Sequence, residues 1–269
     1  MRIKISITLV VVAMIISILA CNAILGGGLG GESIRGSGMV TEESRELANI
    51  TGVQLAMQGT LHIMLGSSEN LRIEAEDNLM EYIQTNLRAS NLVIETRQGI
   101  NLNNTRPIDY YLTVKRLNSI VISSSGDIDT GDLQSDSFSV TINSSGNLSI
   151  GNLDCSSLSV EISSSGNVTV SNLMSDSISV RISSSGDLEI KGGQVQNQNI
   201  TISSSGEYRA RSLTSVDANV TLTSSGKATI RVSDHLSGRL SSSGDIYYIG
   251  SPDLNVSTSS SGRAVKISD

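Results

Sequence analysis

Few side chains in this sequence have the types and spacing that catalysis or metal binding would need. There are two histidines and two cysteines in 269 residues. His62 lies in the alternating stretch Leu61-His62-Ile63-Met64-Leu65, and His235 lies near a turn. Two imidazoles on unrelated segments supply neither a metal pair nor a triad, so both are expected to be structural. Serines are abundant but gather in short glycine-ended corners with no base in the pattern, so none reads as an activated nucleophile. A column of polar residues follows those corners: Asp127, Asn147, Asn167, Asp187, Glu207, Lys227, Asp245 and Arg263. Acidic rows that hold calcium can cleave acidic polysaccharides. Here the charges are mixed in sign and isolated, which predicts a solvated bend and no metal. The nonapeptide calcium repeat is absent, and Thr221-Leu222-Thr223 is a single Thr-x-Thr, too little for an ice-binding face. No catalytic residue and no cofactor is expected.

Composition narrows the partners. The formal net charge is −7, with no Trp and a single Phe, Phe138. Without a basic stripe or aromatic stacking platforms, nucleic acid is excluded as a partner. The mild acidity reads as a solubility feature. Two cysteines cannot make a disulfide scaffold. Cys155 reads as a small buried hydrophobe.

The elements that must position these residues come from a repeat. Ser-Ser-Gly corners end at glycines 126, 146, 166, 186, 206, 226, 244 and 262, spaced by 20 residues and then, at the last two steps, by 18. Apolar residues alternate before and after each corner, as in Val140 and Ile142, then Leu148 and Ile150. Period two is the signature of strands. The fold class is therefore all-β: a single-stranded parallel β-helix, or β-solenoid, of about 20 residues per coil. Right-handed coiling is the default for parallel crossovers. Stacking buries what one coil cannot bury alone, and eight corners span roughly 34 Å at ~4.8 Å per coil. Two expectations follow for the corner. Its glycine supplies a positive φ, and Ser124, Ser144, Ser164, Ser184, Ser204 and Ser224 point inward and stack as a ladder whose hydroxyls satisfy one another and the bend's backbone groups. Glu161 and Arg181, one repeat apart, are placed to pair across coils.

The chain divides into residues 1–21, 22–31, 32–118 and 119–269. Residues 1–21 carry two cations, an apolar run from Ile5 to Ala20 and then Cys21, which reads as an export leader. Three fates are open: cleavage with lipidation of Cys21, an uncleaved anchor, or cleavage and secretion. Ile18-Leu19-Ala20-Cys21 resembles a bacterial lipoprotein signal, which favours the first. Gly26-Gly27-Gly28-Leu29-Gly30-Gly31 reads as a flexible tether. Residues 32–118 keep strand-like pieces without the corner and read as a less regular cap on the solenoid's open end. One stretch there has helical spacing: Asp77 as N-cap, then Leu79, Met80, Ile83 and Leu87 along one face.

The order of short motifs over residues 32–269 resembles the bacterial family of putative auto-transporter adhesins, head GIN domain. The motifs are Ile34-Arg35-Gly36-Ser37-Gly38, Ile50-Thr51-Gly52-Val53, Leu71 to Leu79 ending Glu76-Asp77-Asn78-Leu79, and Ile120 to Ile128 through Ser123-Ser124-Ser125-Gly126-Asp127. The resemblance implies a β-solenoid exposed at the cell envelope and brings no catalytic residues. Three functional readings are open. The first is a non-catalytic structural or adhesive surface module, tethered to the membrane by its N-terminus and binding a glycan or protein. The second is a polysaccharide-active enzyme on the same scaffold. The third is an envelope sensor that docks a membrane regulatory protein.

Overall fold

The structure is a computed structural model and describes residues 31–269. Cys21 and nearly all of the glycine-rich run lie outside the described residues. Among the described residues, no helix is long and apolar enough to cross a membrane.

Residues 119–269 form stacked parallel coils. The strands Leu133–Ile142, Leu148–Ile162, Val168–Ile182 and Gly193–Ile202 pair in parallel, each displaced by one repeat. Alternation then sends equivalent aliphatic side chains into shared internal rows. Val140 sits beside Val160, Val160 beside Val180, and the row continues through Ile200 and Val220. A second row carries Ile122, Ile142, Ile162, Ile182, Ile202 and Leu222, all buried. At about 1.5–3 kcal/mol for each fully buried aliphatic side chain, these rows dominate the fold's stability. Glu161 and Arg181 are register partners on the outer surface. No ion pair forms between them among the described residues.

The corner glycines correct one expectation. Positive φ occurs at Gly38, Gly59, Gly99, Gly193 and Gly250, and none of the Ser-Ser-Gly glycines is among them. Glycine is needed there for space. A Cβ at Gly166 would overlap the carbonyl oxygen of Gly146 and lie 2.7 Å from both Ile142 Cγ2 and the Ser144 carbonyl oxygen. The stacked corners are joined through backbone: Gly166 N–H donates to Ser144 O at 3.1 Å, Gly186 to Ser164 O at 3.0 Å and Gly206 to Ser184 O at 3.1 Å. Of the two partners expected for the column's hydroxyls, the first two serines take the backbone. Ser124 Oγ donates to Met57 O at 2.6 Å, and Ser144 Oγ donates to Ser124 O. A hydroxyl has one proton, and in a column of identical corners the nearest strong acceptor is the carbonyl below it.

The coil that comes first in chain order is hidden in the irregular segment. Gly52–Ala56 and Thr60–Leu65 lie parallel to Ser119–Ile122 and Asp127–Thr130. On their other side lie Asn91–Thr96 and Asp109–Val114, also parallel. The spatial order therefore departs from chain order. Antiparallel pairings are confined to this end: Asn70–Glu76 on Asp109–Val114, Val40–Glu46 on Asn70–Glu76, and Ile83–Arg88 on Asn91–Thr96. They stop the parallel ladder and cover its edge. The helical reading from Asp77 to Leu87 is corrected here. The helix is one turn, Asp77–Met80, with Glu76 at the N-cap position, and the chain then extends as strand Ile83–Arg88 with Leu87 exposed. Ala89, at φ 57°, turns this strand into a hairpin with Asn91–Thr96, so tertiary pairing overrides a weak local preference.

One internal row is interrupted. Phe138, Leu158, Ile178, Gln198, Ala218 and Leu236 are register neighbours, and Gln198 is buried among them. The buried Tyr208 hydroxyl donates to Gln198 Oε1 at 2.8 Å; Gln198 Nε2 donates to Ser215 Oγ at 2.9 Å, and Ser215 Oγ donates to Arg231 O at 2.8 Å. Burial pushes the Tyr208 phenol above its ordinary pKa, so it stays a donor. The cluster lies where pairing slips between Ala210/Thr214 and Ser215/Asp217, the place where the 20-residue coil shortens to 18.

Candidate functional site

The sequence-derived candidates do not converge. His62 faces outward between register neighbours Tyr111 and Asp129, its ring stacked on Tyr111 at 5.1 Å with Asp109 and Asp129 each 3.9 Å away. His235 lies on a distant strand, Lys227–Leu240, between Asp217 and Asp253 in register. Its Nδ1 is 2.7 Å from Asp217 Oδ1, and that hydrogen bond raises the imidazole pKa. Among the described residues no three His, Cys, Asp or Glu side chains are grouped to hold a metal. The Cys155 thiol is buried and free, with burial pushing its pKa up.

The column after each corner glycine forms a ladder. Asp127 Oδ1 accepts from the backbone N–H of Asn147 at 2.8 Å, Asn147 Oδ1 from that of Asn167 at 3.1 Å, Asn167 Oδ1 from that of Asp187 at 3.0 Å, and Asp187 Oδ1 from that of Glu207 at 2.9 Å. A short side chain with an outward oxygen satisfies the amide one coil away, which explains Asp and Asn at this position.

Two of the family-like motifs meet in space. Ser37 N–H donates to Asn78 Oδ1 at 2.8 Å, Ser37 Oγ donates to Asp77 Oδ1 at 2.5 Å, and Asn78 Nδ2 donates to Arg35 O at 2.8 Å. Glu76 is enclosed beside them. Its carboxylate accepts from Gly38 N–H at 2.6 Å, Thr105 N–H at 2.8 Å and the Thr105 hydroxyl at 2.6 Å. Gly36 has no room for a side chain against that carboxylate, and Gly38 carries φ 85°. Burial would raise the Glu76 pKa, but the bonds from Thr105, Gly38 and Arg106 outweigh it and the net shift is downward. The arrangement fastens the first described segment to the cap. Both carboxylate oxygens of Glu76 accept from protein donors, so the arrangement acts as a clasp.

A groove with the extent of a binding site runs along the rod axis, at the second bend of each coil. Register pairing runs through Ser135, Cys155, Ser175 and Val195, skips the following residue, and resumes at Ser137, Ser157, Ser177 and Asn197. The recessed residues Ser135, Cys155, Ser175 and Val195 form the floor. Gln134, Asp154, Met174 and Gln194 form one exposed wall, and the skipped residues Asp136, Ser156, Asp176 and Gln196 form the other. Three concavities of 740, 300 and 440 Å³ share these residues end to end. The groove runs from Lys115 and Arg116 at the capped end to Arg231 and Ser233, roughly 29 Å at ~4.8 Å per coil. From the capped end to Gln196 its lining is mainly hydroxyl, amide and carboxylate, with Leu65 and the Met174 thioether exposed, while Val195, Val216 and Val232 make the far end more apolar; the polar stretch is a surface for hydrogen-bonding an extended chain. Sequence reasoning missed it. The signal was a polar triplet recurring every 20 residues: Gln134-Ser135-Asp136, Asp154-Cys155-Ser156, Met174-Ser175-Asp176.

A parallel coil stack with an antiparallel, clasped cap defines an all-β solenoid module. The sequence model of the family described as "Putative auto-transporter adhesin, head GIN domain" matches residues 49–252, and the chain belongs to that family. No curated protein matches the sequence. Among solved structures, a putative adhesin from Parabacteroides merdae superposes with TM-score 0.82 at 18% identity, covering 88% of this chain and 100% of its own. A putative lipid binding protein from Parabacteroides distasonis gives TM-score 0.82 at 21% identity with the same coverages. A putative adhesin from Bacteroides fragilis gives TM-score 0.66 at 18% identity, covering 87% of this chain and 100% of its own. At these identities the likeness establishes the fold.

Proposed function

We propose that this protein is a non-catalytic module displayed at the cell envelope, where it holds an extended glycan or protein chain lengthwise along the solenoid. The axial groove carries the reading: it is long and open, polar over most of its length, and its floor and walls recur from coil to coil. Membership of a family described as putative adhesins supports a surface role, as does the putative-adhesin name of two of the structures above. The leader and glycine-rich run support an anchored body outside the cytoplasm, with Cys21 as the lipidation site. Mass spectrometry of the mature N-terminus tests the anchor; an unmodified terminus away from Cys21 refutes it.

The binding test compares the purified protein with a Ser156→Trp/Ser175→Trp variant, which fills the groove midway. Retention on whole cells and on immobilised envelope polysaccharides should be lost in the variant. Equal retention of both proteins would remove the groove from the reading, and no retention of either would count against adhesion. Release of reducing ends from any of those polysaccharides would bring back the enzymatic reading.

A further inference from the structure

The groove is not uniform along its length. At the capped end the loop after strand Asp109–Val114 places Lys115 and Arg116, both exposed, at the rim of the 740 Å³ concavity. The same concavity is lined by Gln134, Asp136, Asp154 and Leu65, with Leu65 exposed. Neither cation forms an ion pair with a protein carboxylate among the described residues, although two carboxylates share their concavity. In a chain of net charge −7, two adjacent exposed cations without such a pair leave their ammonium and guanidinium groups open to an anionic ligand.

Building on the groove reading, we propose that this head of the groove selects a sugar bearing a carboxylate, so that the ligand is an acidic polysaccharide of uronic-acid type. Each group of such a sugar meets its chemical complement. The carboxylate is taken by Lys115 and Arg116 in charge-assisted hydrogen bonds. Its hydroxyls donate to Asp136 and Asp154, and the Gln134 amide both gives and accepts. The C–H face of the ring packs on Leu65. A flat anionic membrane fits less well, because the two cations stand at the rim of a concavity that a single chain can enter and a flat surface cannot.

The experiment is calorimetric titration of the full chain with oligogalacturonate and with its methyl ester, which keeps the backbone and removes the charge. The acid should bind more tightly by roughly tenfold or more, with affinity falling as salt rises. In a Lys115→Ala/Arg116→Ala variant, whose unchanged melting temperature is checked first, acid and ester should bind alike. Equal binding of acid and ester by the unaltered protein overturns the proposal. So does a preference that survives in the double variant, or binding to anionic phosphatidylglycerol vesicles with none to the oligomer. If acid and ester bind equally and the groove-filling variant loses both, this inference fails and the groove reading stands. If neither oligomer binds while whole cells still do, the inference fails and adhesion survives.

Discussion

Replacing Gly166 with Ala tests why each corner ends in glycine. The added methyl would overlap Gly146 O and crowd Ile142 Cγ2 and Ser144 O at 2.7 Å. The struck atoms are backbone and a buried side chain, so relief requires separating two coils. Forced overpacking costs about 1–3 kcal/mol, and weakening the Gly166 N–H bond to Ser144 O adds about 1 kcal/mol, for a total of roughly 2–4 kcal/mol. For a chain of this size that lowers the melting temperature by roughly 4–16 °C. Thermal unfolding followed by circular dichroism reads it. Gly131→Ala is the control, because a Cβ there meets nothing within 4 Å and its φ is not positive; its melting point should move by no more than about 2 °C. Gly166→Asn separates space from conformation. Asparagine tolerates left-handed backbone but is bulkier than alanine, so it should destabilise at least as much. Equal melting points for Gly166→Ala and Gly131→Ala would refute the steric reasoning, and a rescue by asparagine would restore the positive-φ account.

Three further outcomes are expected. Gln198→Leu should destabilise by about 1–3 kcal/mol despite placing an aliphatic side chain in an aliphatic row, because Tyr208 and Ser215 lose their partner, and Gln198→Leu/Tyr208→Phe/Ser215→Ala should recover much of the loss in urea unfolding. Glu76 has a folded pKa below its ordinary value, so its stabilisation is complete above the ordinary glutamate range and is lost as pH falls through the lowered pKa. Glu76→Gln should therefore flatten the acid limb of the stability profile and speed hydrogen exchange at the Gly38 and Thr105 amides. His235 should titrate above the ordinary histidine value by NMR, and Asp217→Asn should bring it down; an unchanged titration would remove the Asp217 hydrogen bond as its cause.

The repeat, its parallel stacking and its inward rows were legible because they depend on spacing, which a sequence displays directly. Val140, Val160 and Val180 carry that information themselves. The hidden first coil was partly legible: Leu61 follows Leu55 by six positions, as Ile128 follows Ile122, but its bend at Met57-Gln58-Gly59 lacks the serines. The reason for the corner glycine was not legible. It rests on a carbonyl 20 residues away, whereas a local reading sees only a turn and infers φ. The helix through Ile83 and Leu87 failed similarly, since Asn91–Thr96 offers that stretch a strand edge. The groove escaped because concavity is a property of stacked bends, and each polar triplet alone resembles any exposed turn.

The displaced order of the cap has a consequence for how the chain is assembled. Strand Gly52–Ala56 is bordered by Asn91–Thr96 on one side and Ser119–Ile122 on the other, so both of its neighbours are synthesised after it. Residues near the start must wait, with open edges, until most of the first half of the chain has appeared. The later coils, each resting on the one before, can then add in sequence. A slow stage at the beginning followed by rapid zippering is the expected kinetic pattern, and the period of exposure to misassociation falls on the cap.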